Sequence, residues 1–346
     1  MPLNEGKTSV TSSTPELSRR TMLRSLLAVP ALFHGQMEAT PACQPLDVRE
    51  TQVRASLKSA KETKLVLLGT GAGPLPGMNR HMQSSVLVHD GAAYLVDCGL
   101  GVTDLYARTG LSFSAVRSLF ITHQHPDHNV EYGPFLIIGW IHGLKQSVHA
   151  FGPPPLNQMT EDYLRSMKTT IDFWAEDFKL KPFGMIACTD LPQAGPVMED
   201  ENVKVTSVLV QHPPVHPAYG YRFDFHDRSI AFSGDTVPLE AVAEMARGAD
   251  VLVHEAMDVQ ATEEMVRRES TQWHAVSYGT MMHHMRADHS PIEEVGRIAQ
   301  EAGVKTLVLS HMTPDSTGLV PDTKWIQGAS KYFKGKIIVG QDLMVI

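Results

Sequence analysis

Residues 119–129 read Leu-Phe-Ile-Thr-His-Gln-His-Pro-Asp-His-Asn. The apolar run Leu119–Ile121 reads as the end of a buried strand, and His123, His125, Asp127 and His128 follow it at once. Four metal-capable side chains this close together cannot all be ordinary core residues, because burying such groups without partners carries a large free-energy penalty. On a loop leaving a strand they can converge on one point. Imidazole and carboxylate together suit zinc or a similar transition metal. In the spacing H-x-H-x-D-H, His123 and His125 can serve one ion while Asp127 and His128 face a second. The competing reading is a histidine-rich surface loop, which would give no reason for further ligand-type residues downstream.

This stretch resembles the signature of the metallo-β-lactamase superfamily. The resemblance implies an α/β fold, a four-layer αββα metallo-β-lactamase sandwich with one or two metals at the edge of its two sheets. It also demands a later His for the first metal, an Asp bridging both, and a final His for the second. Val203–Val210 alternates as a strand and delivers Gln211-His212, with Gly220-Tyr221-Arg222 in the strand that follows. That pattern resembles ribonuclease Z and arylsulfatase-type members and implies His212 as the third ligand, leaving His216 at the entrance or on the surface. Ser229–Phe232 ends in Ser233-Gly234-Asp235-Thr236, and Asp235 matches the bridging carboxylate. The members best known for antibiotic resistance usually place Cys there. Thr306–Leu309 leads to Ser310-His311, and His311 matches the last ligand.

Other features extend the resemblance. Gly69-Thr70-Gly71-Ala72-Gly73-Pro74, with Asn79-Arg80 after it, resembles the opening of ribonuclease Z-like members. A nucleotide loop is the rival reading, rejected because no Walker lysine and no helical pattern follow. Asp97 follows the strand Ala93–Val96 and matches a residue that supports the metal ligands from behind. A plain turn residue is the competing reading. His254-Glu255-Ala256 also occurs in ribonuclease Z relatives, near the metals without binding them. His289 precedes Ser290-Pro291-Ile292-Glu293, which reads as a capping box with Pro at the first helical position. In relatives a His-Ser-Thr segment here supplies a proton donor, so His289 is assigned that role, although Pro291 stands where the relatives have Thr; Asp127 or a metal-bound water can steer the proton. His283 and His284 read as helix-surface residues.

The chain has 346 residues, 42% hydrophobic and 20% charged, as in an ordinary globular protein able to bury a large core. Its formal net charge of −8 argues mildly against nucleic acid as a partner. Residues 1–42 read as a signal peptide of twin-arginine type: Ser18-Arg19-Arg20-Thr21-Met22-Leu23, then an apolar stretch, Leu26–Phe33, too short to span a membrane. The mature protein is therefore expected to be periplasmic or secreted, with no stable membrane span. Cys43, Cys98 and Cys188 form no C-x-x-C pair, so neither a zinc ribbon nor a redox motif is supported. Cys98 and Cys188 would be able to pair in an oxidising compartment, and two separate thiols is the plainer reading.

Residues 43–63 read as a polar lead-in and 64–346 as the hydrolase domain. Lys64–Leu68 is a strand, Ser84–His89 and Ala93–Val96 form a hairpin across Asp90-Gly91, and Val130–Leu144 is a buried helix. Residues 156–178 are helical with an aromatic stripe, residues 182–201 an acidic loop, and Lys336–Ile346 a final hairpin.

The assembled set is His123, His125 and His212 for one metal, Asp127, His128 and His311 for the other, and Asp235 between them. The resemblance implies two divalent ions, zinc by default, generating a hydroxide that cleaves an ester. A small phosphodiester or aryl sulfate is the first expectation. Opening of a β-lactam or lactone ring is the alternative. Cleavage at the tRNA 3′ end is disfavoured by the absence of a Gly-Pro-Lys-rich arm and by the export signal. A non-catalytic metal-binding protein is disfavoured because no ligand position is missing. Relatives often dimerise, which implies a homodimer.

Overall fold

The computed structural model describes residues 44–346 apart from 59–60, 74–78, 146, 182, 184–185, 270–275 and 315–319. The segment read as an export signal lies outside the described residues. In chain order the strands are β1 (Lys64–Gly69), β2 (Ser84–His89), β3 (Ala92–Val96), β4 (Val116–Phe120), β5 (His149–Gly152), β6 (Ala187–Asp190), β7 (Gly195–Glu199), β8 (Val203–His212), β9 (Val215–Phe225), β10 (Ser229–Phe232), β11 (Val251–Met257), β12 (Thr306–Thr313), β13 (Lys336–Val339) and β14 (Met344–Val345). They form two seven-stranded sheets, ordered β14-β1-β2-β3-β4-β5-β6 and β13-β12-β11-β10-β9-β8-β7.

Period-two alternation builds the layers. In β1, Leu65 and Leu67 join a core that also contains Tyr221, Phe223 and Val253 from the second sheet. Val66 and Leu68, on the opposite face, join Leu105, Phe135 and Trp140 from helices over the first sheet. A third core packs the second sheet under the helices Glu240–Met245, Ile292–Ala302 and Asp322–Ser330. The Ile292–Ala302 helix buries Ile292, Val295, Ile298, Ala299 and Ala302, a stripe at helical spacing. It ends at Gly303, whose φ of +65° no side chain opposes. The result is the expected αββα order. Both central sheets are covered on two faces, which is why β1 to β3 read as nearly continuous apolar runs. The β2–β3 hairpin turns at Asp90 and Gly91, both with positive φ, as a tight two-residue turn requires.

Several expectations are corrected. The lead-in contains a helix, Leu46–Leu57, whose Val53 is fully buried in the first core. Residues 182–201, read as a loop, contribute the edge strands β6 and β7. The helical stretch 156–178 is two helices, Leu156–Ser166 and Lys168–Phe178, and in the second Phe173 and Phe178 are 64% and 61% exposed. Lys336–Ile346 is not a hairpin: β13 pairs with β12 in one sheet and β14 with β1 in the other. Local pattern reports that two strands exist, not which neighbours they choose. Cys98, buried in the first core, and Cys188 are both free thiols. Among the described residues no helix is long and apolar enough to cross a membrane.

Candidate metal centre

The candidate ligands gather where strands leave the carboxyl edges of both sheets, the usual place for a site in a sheet of parallel strands. His123 and His125 follow β4. His125 then precedes a single helical turn, Pro126–Asn129, that carries Asp127 and His128. Proline suits that first helical position because no partner for its missing N–H is needed. His212 ends β8. Asp235 follows β10 through Gly234, whose φ is +61° and whose added Cβ would lie 2.6 Å from the Tyr219 carbonyl oxygen. His311 is the extra residue of a bulge: Glu255 pairs with Ser310, and Ala256 with Met312. Its φ of +43° is strained for a non-glycine residue, and the strain turns its side chain out of the ladder and into the site.

Two groups of donor atoms result. His125 Nδ1 lies 3.1 Å from His123 Nε2 and 3.0 Å from His212 Nε2. His311 Nε2 lies 3.1 Å from Asp127 Oδ2, and His128 Nε2 lies 3.8 Å from that same oxygen. Asp235 Oδ2 reaches both groups, at 3.3 Å from His128, 3.2 Å from His311 and 3.9 Å from each of His123 and His212. Ligand atoms around a tetrahedral zinc with bonds near 2.0–2.1 Å stand roughly 3.3 Å apart. The observed edges bracket that value. His128 Nε2 is also buried without a hydrogen-bond partner among the described residues, as a nitrogen shaped for a cation would be. The residues therefore fit two divalent ions, with Asp235 shared.

Residues behind the ligands hold their orientation. Asp97, at φ +62°, accepts from Thr122 N at 2.8 Å and pairs through Oδ2 with His128 Nδ1 at 2.9 Å. His212 Nδ1 donates to the Asp288 carbonyl at 2.9 Å. Each leaves Nε2 facing the site. Gly73 N donates to Asp127 Oδ2 at 2.8 Å, and a Cβ on Gly73 would stand 2.2 Å from that of Asp127. The glycine-rich loop is thus a rest for the Asp127 carboxylate.

The electrostatics match a ligand role for His123, His125 and His212 and for both carboxylates, whereas at His128 a cation would have to displace a proton. Burial holds His123 and His125 below the usual imidazole range and lowers His212 to about 4. Those rings are neutral at pH 7, as ligation requires. Burial pushes Asp127 and Asp235 up, but His128 and His311 outweigh it and hold both carboxyls well below their ordinary range. Burial likewise opposes the charge on His128, yet Asp235, Asp97 and Asp127 together raise it.

His289 stands beside this centre, its ring 5.2 Å from that of His212 and 5.7 Å from that of His311. Its Nδ1 lies 2.9 Å from Glu255 Oε2. Burial works against the cation, but the Glu255 carboxylate raises His289 to about 9. Glu255 in turn accepts from Thr236 N at 2.6 Å. The sequence places Glu255 near the metals but does not pair it with His289. The capping box at Ser290 is corrected: the helix is capped at Pro291 without a side-chain bond, and Ser290 Oγ donates to the Thr236 carbonyl. That bond ties the His289 segment to the Asp235 loop. His216 is exposed. His284, read as surface, is only half-exposed and borders His125 and His289. A further group, His89, His226 and Asp227, lies outside this centre, and there Thr63 already bonds His89 and Asp227.

A family model described as a beta-lactamase superfamily domain matches residues 93–312. A ribonuclease Z of Mycobacterium avium (strain 104) is 31% identical over 291 residues, 81% of this chain and 96% of that protein. A ribonuclease Z of Mycobacterium bovis (strain BCG / Pasteur 1173P2) is 29% identical over 287 residues, again 81% of this chain and 96% of that protein. Among solved structures, the metallo-β-lactamase fold protein YhfI from Bacillus subtilis matches at a TM-score of 0.59 and 18% identity, covering 82% of this chain and 98% of that one. The short form of human tRNase Z matches at 0.59 and 20% identity, with 82% and 98% covered. These two structures show the shared fold.

Proposed function

The chain belongs to the metallo-β-lactamase superfamily, and from that premise we propose that it is a metal-dependent phosphodiesterase. In this reading His123, His125 and His212 hold one divalent ion, Asp127, His128 and His311 hold another, and Asp235 serves both. The ions, zinc by default, supply Lewis acidity and an activated water. The chain's own residues do the rest. Gly73 N holds the Asp127 carboxylate in place, and Asp97 holds His128. His289, protonated at neutral pH, gives its proton to the leaving oxygen from Nε2, while Glu255 holds Nδ1 and keeps the ring charged until transfer.

The observation that carries this reading is the buried His289–Glu255 pair set against the rings of His212 and His311. A charged imidazole there can protonate an alkoxide or phenoxide leaving group. The carboxylate of Asp235, where antibiotic-resistance members usually carry Cys, weighs against a lactam substrate. The sulfate ester has no support among the relatives, whose names are those of ribonucleases.

Those names favour RNA as a second reading of the phosphodiester. They override the weak argument from net charge, because a local basic surface can grip phosphate in a protein that is acidic overall. Export, proposed on residues 18–33, would keep the protein from cytoplasmic tRNA, and immunodetection in cell fractions tests it. A homodimer, proposed from the habit of relatives, is tested by light scattering on the purified protein.

The function test is a rate panel on zinc-loaded protein: bis(p-nitrophenyl) phosphate, a tRNA precursor, p-nitrophenyl sulfate and a chromogenic β-lactam, with Asp235→Ala as control. Cleavage of a phosphodiester, lost in the control, is expected, and the first two substrates divide small ester from RNA. Turnover of the β-lactam alone overturns the proposal.

A further inference from the structure

The helix Tyr278–Asp288 runs to the edge of the metal centre, starting from Ser277, whose side chain accepts from Thr280 N. Two of its residues, His284 and Asp288, lie one turn apart and so on one face. Their side chains pair, His284 Nδ1 with the buried Asp288 carboxylate. The carbonyl of the same Asp288 accepts from His212 Nδ1 at 2.9 Å. One residue thus fixes both a candidate ligand inside the centre and an imidazole at its mouth. The His284 side chain is 38% exposed, and its ring lies 6.5 Å from that of His125 and 6.2 Å from that of His289. At those spacings the rings do not bond each other. With Nδ1 committed to Asp288, Nε2 is left without a partner among the described residues.

We propose that His284, held by Asp288 at the mouth between His125 and His289, binds an anionic oxygen of the substrate; that this oxygen is phosphoryl rests on the phosphodiester reading. With Asp288 holding Nδ1, an N–H at Nε2 can donate to an arriving anionic oxygen, and a hydrogen bond to a charged acceptor is stronger than one to a neutral group. The role is binding: His284 seats the charged oxygen that stays on phosphorus, and proton transfer to the leaving group belongs to His289.

The test uses zinc-loaded full-length protein and two readouts. Calorimetric titration with inorganic phosphate is compared for wild type, His284→Ala and His284→Gln. Loss of one hydrogen bond to a charged group weakens binding by roughly tenfold to a hundredfold, so phosphate affinity should fall by that factor in the alanine variant and by less in the glutamine variant, which keeps a donor. The kcat/KM for bis(p-nitrophenyl) phosphate relative to that for an uncharged p-nitrophenyl ester should fall by a similar factor, mainly through KM, at constant zinc content. Unchanged phosphate affinity overturns the proposal, and so does a parallel loss on charged and uncharged substrates, which is what a purely structural role predicts. The phosphate titration needs no turnover. A protein that cleaves no phosphodiester but still shows His284-dependent phosphate binding would sink the functional reading and leave this inference standing.

Discussion

The two halves of the metal centre are built differently. Four of the seven candidate ligands, His123, His125, Asp127 and His128, come from one contiguous loop after β4, shaped by a proline-started helical turn. The other three come singly from the second sheet: His212 from the end of β8, Asp235 from beyond β10, and His311 from a bulge in β12. The loop carries its geometry in local sequence. The second-sheet ligands rely on backbone that the fold must force, a glycine at φ +61° before Asp235 and a left-handed residue at His311 itself. Damage to the first half should therefore appear as lost chemistry, and damage to the second as lost stability as well.

The largest expected effect tests the residue that the connection between the helices Tyr278–Asp288 and Ile292–Ala302 adds beyond the ligands. His289→Ala should cut kcat by about a hundredfold to ten-thousandfold, the usual worth of general acid catalysis. The proton is present below the raised pKa of His289 and is lost as pH rises through it, so wild-type activity should fall on the alkaline side at or below about pH 9, bound cations lowering that limit. A pH profile in which the variant keeps the same alkaline limb would remove His289 from the mechanism.

Next comes the support behind the first half. Asp97→Asn weakens the bond to His128 while keeping the shape, and should lower zinc affinity about tenfold to a hundredfold. Competition with a chromogenic chelator measures it, and wild-type affinity would show that Asp97 is only a turn residue.

Two glycines then set the halves directly against each other. Gly73→Ala pushes against the Asp127 side chain, so zinc content and rate should fall while the melting temperature barely moves. Gly234→Ala meets a backbone carbonyl in a strained conformation, and at about 1–3 kcal/mol should lower the melting temperature by roughly 2–10 °C. The opposite pattern would refute the division between a chemical half and a structural half.

The smallest effect lies beneath the glycine-rich loop. Asp342 bonds Thr70 N, Thr70 Oγ1, His81 N and His81 Nδ1, joining the C-terminal crossover to the segment that leads to Gly73. The hydrogen bond to Asp342 raises the pKa of His81. The stability from that pair is full below the ordinary histidine value and is lost as pH rises through the raised one. His81→Gln should therefore lower the melting temperature more at pH 5.5 than at pH 8.5. Because the ring is partly exposed, the difference is small, and a scan that shows none would free the loop from this tie.

What could be read along the chain was whatever local chemistry carries. The H-x-H-x-D-H loop, the hairpin at Asp90-Gly91, the amphipathic helix ending at Gly303 and the strand ends delivering His212, Asp235 and His311 all declare themselves by period, turn chemistry or motif. Tertiary structure alone decided which distant pieces meet. Asp127 and His311, 184 positions apart, are brought to 3.1 Å, and Glu255 and His289, 34 apart, form the buried pair. It also sent β13 and β14 to different sheets, made strands of residues first read as a loop, and turned His284 from the helix surface toward the site. The reason is physical. Periodicity and capping act over a few residues, whereas the partner of a buried carboxylate or a strand edge is chosen by how three cores pack, and that choice is not written in any short stretch of sequence.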